Sequence, residues 1–195
     1  MNTRNARRAF TLIELMIVVS IIAVIAAIAI PNLLRSRLAA NESAAIAACR
    51  TYAEAQEMYR RTDWNGNGTL EYAQTLAGNQ SLYENTAGAA DIVLIDAAFA
   101  AAEGNPGVAA PKAGYVFRVQ RAKIAGGVLT NYLVNNRMVL GYGLSAVPAS
   151  YDSTGRNAFQ VNECGVVYQM DRGASAHLSN FSLVTGAGQK WFPVE

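Results

Sequence analysis

Phe10 to Ile30 is a run of 21 residues in which the only formal charge is Glu14. A helix of that length spans roughly 30 Å, the thickness of one bilayer core. The run has to lie in lipid or against other apolar helices, and the rest of the chain must fold under that constraint. Arg4, Arg7 and Arg8 precede it and the bulk of the chain follows it. The positive-inside bias therefore places residues 1–9 in the cytoplasm and everything after Pro31 outside, an N-in, C-out single pass. A cleaved secretory signal has a similar basic start and apolar centre, and Ala27-Ile28-Ala29 has the small residues of a cleavage site. Two features weigh against that alternative. A carboxylate inside an apolar segment costs on the order of 2.5–3.5 kcal/mol, so Glu14 needs a partner, a proton or a task. In addition, a stripe at helical spacing continues past Pro31 through Leu34, Leu38, Ala45, Cys49, Tyr52, Gln56 and Tyr59. One long helix accounts for both halves.

The segment Arg7-Arg8-Ala9-Phe10-Thr11-Leu12-Ile13-Glu14-Leu15 resembles the processing site of type IV pilins and type II secretion pseudopilins, and Ile30-Pro31-Asn32-Leu33-Leu34 is similar to their later helix. The resemblance covers about residues 7–60. It implies that a prepilin peptidase cuts between Ala9 and Phe10 and that the new Phe10 amine is methylated. It further implies that Glu14 supports assembly and that Pro31 marks where the helix leaves the membrane. The implied partners are other filament subunits, that peptidase and an assembly platform in the inner membrane. The implied location is the inner membrane before assembly and a periplasmic or extracellular filament afterwards. One departure stands out, because the family usually has Gly before the cut and this chain has Ala9. Physics gives Glu14 a compatible role. A terminal amine on Phe10 and a carboxylate on Glu14 are opposite charges in a low-dielectric medium, and an unpaired one would penalise wrong register between neighbouring subunits.

Charge narrows the partners. The chain carries a formal +2, but without the first nine residues it has 13 basic against 14 acidic groups. That balance supplies no field for nucleic-acid phosphates.

Beyond Tyr59 the helical stripe breaks, and Asp63-Trp64-Asn65-Gly66-Asn67-Gly68-Thr69-Leu70-Glu71 is dense in turn formers. Asp63, Asn65 and Asn67 alternate ahead of Gly68 as in the first half of a calcium loop, and Glu71 adds a carboxylate. Gln74 stands where such a loop wants a bidentate Glu, and two early donors are neutral amides. Weak calcium binding and a plain Asn/Gly turn are both open readings. Helices are expected over Glu71–Leu82 and Ala89–Glu103, the latter ended by Gly104-Asn105-Pro106-Gly107. Period-two runs then predict five strands at 115–119, 129–134, 139–144, 159–161 and 166–169, with Asn162–Gly165 as the last hairpin turn. The natural cover for one face of that meander is the outer half of the long helix. The expected fold is thus α+β, a long N-terminal helix on an antiparallel sheet, with residues 1–9 a leader, 10–31 the membrane and filament-core helix, 32–59 its outer half and 60–195 a globular head. Gly141–Tyr151, Phe159–Asn162 and Gly165–Asp171 also resemble a secreted bacterial family of unknown function, which implies a module and no activity.

Cys49 on the helix and Cys164 in the last turn would meet an oxidising compartment. A disulfide between them and two separate thiols are both open. Enzyme readings find little support. His177 is the only histidine, expected on a surface loop, and no triad, C-x-x-C or phosphate-binding glycine motif is present. No resident cofactor is expected apart from the open calcium reading. The expected function is a structural filament subunit of a type IV pilus or a type II secretion pseudopilus. The alternative is a membrane-tethered extracytoplasmic binding module that uses calcium.

Overall fold

In a computed structural model the described residues are 10–84, 92–174, 177–183 and 190–194. The chain divides into two compact units, 1–37 and 38–195. One helix, α1 (Leu12–Tyr59), contributes to both, and Pro31 lies inside it.

In the first unit α1 is helical because its residues are Leu, Ile, Val, Met and Ala with almost no breakers. It is also apolar all round, and its large side chains from Phe10 to Leu34 are exposed. Such a helix has the length and composition to cross a membrane.

The second unit has a conventional interior. Strands β1 (Tyr83–Glu84) and β2 (Ile92–Val93) form a small ladder, followed by the short helix α2 (Ala97–Ala101). Then come β3 (Tyr115–Gln120), β4 (Ala122–Ala125), β5 (Val128–Asn131), β6 (Leu133–Val134) and β7 (Arg137–Met138). They are followed by β8 (Gly143–Pro148), β9 (Asn157–Asn162), β10 (Val167–Asp171), β11 (Phe181–Ser182) and β12 (Phe192–Pro193). The main sheet has the order β12-β10-β9-β8-β3 and is antiparallel throughout. Beside it, β11-β4-β5 forms a second sheet in which β11 runs parallel to β4.

Alternation along β3 and β9 decides the packing. Tyr115, Phe117, Val119, Phe159 and Val161 join a core with Ala45, Ala48, Cys49, Tyr52, Ala53, Ala55 and Tyr59 of α1. The small residues of the helix let it approach the sheet closely, and the tyrosines fill the seam. Tyr142 meets Tyr52 and Tyr72 edge-on at 5.7 and 5.0 Å between ring centres. Gln56, fully buried, donates to the Ala73 carbonyl at 2.8 Å and accepts from the Ala73 amide at 2.9 Å, so a polar side chain serves as a strand partner. At the other end of this seam Glu42 accepts from the amides of Arg156 and Asn157 at 2.9 and 3.1 Å. Gly155 is obligatory there, because a Cβ would lie 2.1 Å from the Tyr115 hydroxyl.

The helix-on-antiparallel-sheet architecture agrees with the sequence expectation, and four details do not. Residues 71–82 are not a helix, since Tyr72 bridges to Met138 and the segment runs under the core in turns. The expected helix over 89–103 shrinks to α2, preceded by β2, and its first residues lie outside the described ones. Asp96 caps α2 by accepting from the Phe99 amide at 2.8 Å, which places the helix start after Ile92–Ile95 instead of before them. The expected strand 129–134 is interrupted at Tyr132, whose ring turns into the core, and 139–144 gives way to β7 and β8 around Gly141-Tyr142. Strand β4 has a single strand-favouring residue, Ile124, and the two strands near the C-terminus are two residues each, too little to be read in advance.

Candidate functional site

The N-terminal site begins with a capping interaction. The Thr11 amide and hydroxyl both donate to Glu14 Oε2, at 2.9 and 2.7 Å, and the Glu14 amide donates back to the Thr11 hydroxyl at 3.3 Å. This is the reciprocal Thr-x-x-Glu box that starts a helix. Sequence reasoning singled out Glu14 as a costly acid and missed Thr11, although the Thr-x-x-Glu spacing was present. The consequence is that Glu14 is hydrogen-bonded inside its own chain while its surroundings are exposed. Phe10 precedes the box and is 86% exposed. Ala9 lies outside the described residues. Pro31 sits further along, within the continuous helix.

The loop after α1 brings Asp63, Asn65, Asn67 and Glu71 together. Asp63 accepts from the amides of Asn67 and Gly68 through its two oxygens, at 3.1 and 2.7 Å. Asn65 Oδ1 accepts from the Asn67 amide at 3.2 Å and Asn67 Oδ1 from the Thr69 amide at 2.8 Å. Both side-chain amides donate to Glu71 Oε1, that of Asn67 at 3.0 Å. Gly66 and Gly68 adopt positive φ, +66° and +76°, which lets the chain fold back over the carboxylate. Two carboxylates and two amides are thus within one loop, but the amides present nitrogen to Glu71. Among the described residues no group of three or more His, Cys, Asp or Glu is placed to hold a metal.

The cysteines are unpaired. Cys49 is fully buried against the sheet, and burial pushes its thiol up to about 12, so it is an inert apolar filler. Cys164 is exposed in the β9–β10 turn. Of the two open readings this structure has the separate thiols, one sulfur in the core and the other exposed in a hairpin turn.

His177 also departs from expectation. It is buried, with Nδ1 2.8 Å from the Ser145 hydroxyl on the face of β8 turned away from α1. Burial, reinforced by the positive charge of Arg118, lowers its pKa to about 4, so it is neutral at ordinary pH. Its neighbours explain why. Gln160 donates to the Ser182 carbonyl at 2.5 Å and Gln120 donates to the Leu178 carbonyl at 3.2 Å. A row of polar side chains on the sheet thus holds residues 177–183 by their main chain. Trp191 is buried on the same side, with Val116, Val147, Ala158 and Met170.

Two family models match the chain. Residues 4–30 match the prokaryotic N-terminal methylation motif. Residues 26–190 match the family described as protein of unknown function DUF2950. The chain belongs to that family. Its N-terminal segment is of the type IV pilin kind: over 57 residues it is 51% identical to the type IV wide pilus major component PilA4 of Thermus thermophilus. That match covers 29% of this chain and 43% of the relative, so most of this DUF2950 member lies outside the similarity. No solved structure matches the chain.

Proposed function

We propose that this chain is a structural subunit of a type IV pilus-like or type II secretion pseudopilus filament. It would be made as an N-in, C-out inner-membrane precursor, cut between Ala9 and Phe10, and methylated on Phe10. The observation that carries the reading is the first unit of the chain. A methylation motif leads into the first part of α1, residues 12–34, whose large apolar side chains are exposed and whose one acid, Glu14, lies one helical turn beyond Phe10. A helix of that kind is stable only in lipid or among its own copies. Freed by the cut, the Phe10 amine of one subunit pairs with Glu14 of a neighbour. The Thr11 box holds the carboxylate oriented until that exchange. After assembly the subunit is periplasmic or extracellular, its partners being other subunits, the prepilin peptidase and the membrane assembly platform.

The test is the intact mass and N-terminal residue of the protein from sheared filaments and from membranes. Monomethylated Phe10 in filaments is expected. Intact Met1 confined to membranes would mean that Ala9 blocks the cut and would overturn the filament role.

A second reading, a membrane-tethered binding module that uses calcium, draws on the four residues of the loop after α1, Asp63, Asn65, Asn67 and Glu71. Turning the Asn65 and Asn67 amides would present their oxygens beside those of Asp63 and Glu71, a set suited to a hard cation of low affinity. Here the readout is thermal unfolding of the full chain in detergent with and without millimolar calcium. No rise with calcium, or an equal rise in Asp63→Asn, removes this reading.

A further inference from the structure

The loop after α1 holds the two Asn-Gly pairs of the chain, Asn65-Gly66 and Asn67-Gly68. An asparagine followed by glycine is open to attack on its side-chain carbonyl carbon by the next main-chain nitrogen. Glycine has no Cβ to shield that nitrogen and few limits on its approach. By sequence the two pairs are equivalent, and the structure separates them.

The attacking nitrogens differ. The Gly68 amide donates to Asp63 Oδ2 at 2.7 Å. To attack, it would have to give up a charge-assisted hydrogen bond and lose its proton beside a negative charge. Gly66 carries no such restraint. Among the described residues its amide donates to no acceptor, Asn65 and Gly66 are both exposed, and nothing lies within 4 Å of where a Gly66 Cβ would be. The carbon under attack is also prepared. Asn65 Oδ1 accepts from the Asn67 amide at 3.2 Å, which steadies the oxygen as negative charge builds on it. Asn67 Oδ1 has a like donor in the Thr69 amide at 2.8 Å, so the difference between the pairs lies in the nucleophile.

We propose that Asn65 is a site of spontaneous deamidation in the folded chain and that Asn67 is protected from it. The Gly66 nitrogen gives its proton to solvent and bonds to Asn65 Cγ. The bond from Cγ to Nδ2 breaks and ammonia leaves, closing a succinimide. Water then opens the ring, at Cγ to give an aspartate or at the main-chain carbonyl carbon to give an isoaspartate. One water is consumed and one ammonia released, and no other reactant is needed. The product changes the loop. Asn65 Nδ2 donates to Glu71 Oε1 before the reaction. The carboxylate formed has no N–H to give, so repulsion replaces that hydrogen bond and the loop holds three carboxylates where it was made with two. The calcium reading above needs the Asn65 amide to turn, whereas the product offers oxygen alone. Conversion itself does not depend on calcium.

The test uses the full chain in detergent, incubated without calcium in mildly alkaline buffer made with heavy-oxygen water, beside a sample denatured in guanidinium. Heavy oxygen marks only the molecules that convert during the incubation. Fragmentation of the digested chain in a mass spectrometer assigns each conversion to Asn65 or Asn67. In the folded chain conversion at Asn65 is expected to exceed that at Asn67 several-fold, and in the denatured chain the two are expected to be close. Asp63→Ala is expected to raise conversion at Asn67 toward that at Asn65, with the unfolding transition showing that the head is still folded. No conversion at Asn65 in the folded chain, equal or greater conversion at Asn67, or the same preference in the denatured chain overturns the proposal. So does an Asn67 that stays protected in folded Asp63→Ala. If that variant does not fold, the comparison of folded with denatured wild type decides alone.

Discussion

The two halves of α1 have nearly the same secondary structure and opposite environments. From Leu12 to Leu34 every large apolar side chain is exposed, while from Ala45 to Tyr59 one stripe of Ala, Cys and Tyr is buried under the sheet. Periodicity separates them. The first half is apolar on all faces and has no partner within its own unit, so its free energy is decided by lipid and other copies. The second half is amphipathic and is decided by the head. A mutation in the first half should be read in assembly, and one in the second half in folding.

The largest expected effect is Glu14→Leu. Removing the acid makes the first half more apolar and leaves membrane insertion intact, but deletes the group proposed to pair with a neighbour's Phe10 amine. Filament incorporation should fall to background while unfolding of the head in detergent stays unchanged. A normal filament yield would show that the Phe10–Glu14 pair does not govern assembly. The complementary test is Phe117→Ala on the buried face of β3, where Phe117 packs edge-on against Phe99 at 4.7 Å. Loss of a buried aromatic ring costs about 3–5 kcal/mol. The head should unfold at lower denaturant with the precursor still in the membrane.

Next in size is a pH effect on the far face of the sheet. His177 ionises near 4 in the folded chain against about 6.5 unfolded, so the folded state resists its protonation. Its contribution is fully present above pH 6.5 and is lost as pH falls toward 4, worth about 3 kcal/mol by pH 4 at ~1.4 kcal/mol per pH unit. His177→Gln should flatten that part of the stability profile, measured as the difference from wild type between about pH 7 and pH 4.5. Equal slopes would mean that residues 177–183 are held by Gln160 and Gln120 alone.

Much of this contrast between the two halves was legible in the sequence. The apolar run, Glu14 and the stripe from Ala45 to Tyr59 follow from period 3.6, and β3, β9 and β10 from period 2 with aromatic and β-branched residues. What escaped is of another kind. Strand β4, Ala122-Lys123-Ile124-Ala125, has a sheet environment without a sheet composition, and only its pairing with β5 and β11 makes it a strand. Residues 71–82 have helical propensity that is overridden by the Gln56–Ala73 pairing and the Tyr72–Met138 bridge, both tertiary. His177 was unreadable as buried because its partner Ser145 is 32 residues away. At the N-terminal site the same gap is small, since Thr11 needed no fold to be found.

The smallest effects come from two caps, one in each region. Asp96 accepts from the Phe99 amide at 2.8 Å and Thr11 exchanges hydrogen bonds with Glu14. Replacing either with Ala removes a capping bond worth about 0.5–2 kcal/mol. For Asp96→Ala the loss should appear in the unfolding midpoint of the head, because α2 carries Phe99 and Ala100 into the core. Thr11→Ala should leave that midpoint where it is, because residues 10–14 contribute nothing to the head's interior. It should instead change the yield of assembled filaments, since a Glu14 released from its own Thr11 starts from a less ordered position. A drop in head stability from Thr11→Ala equal to that from Asp96→Ala would mean that the two halves of α1 fold as one cooperative unit, and the division between assembly and folding would fail.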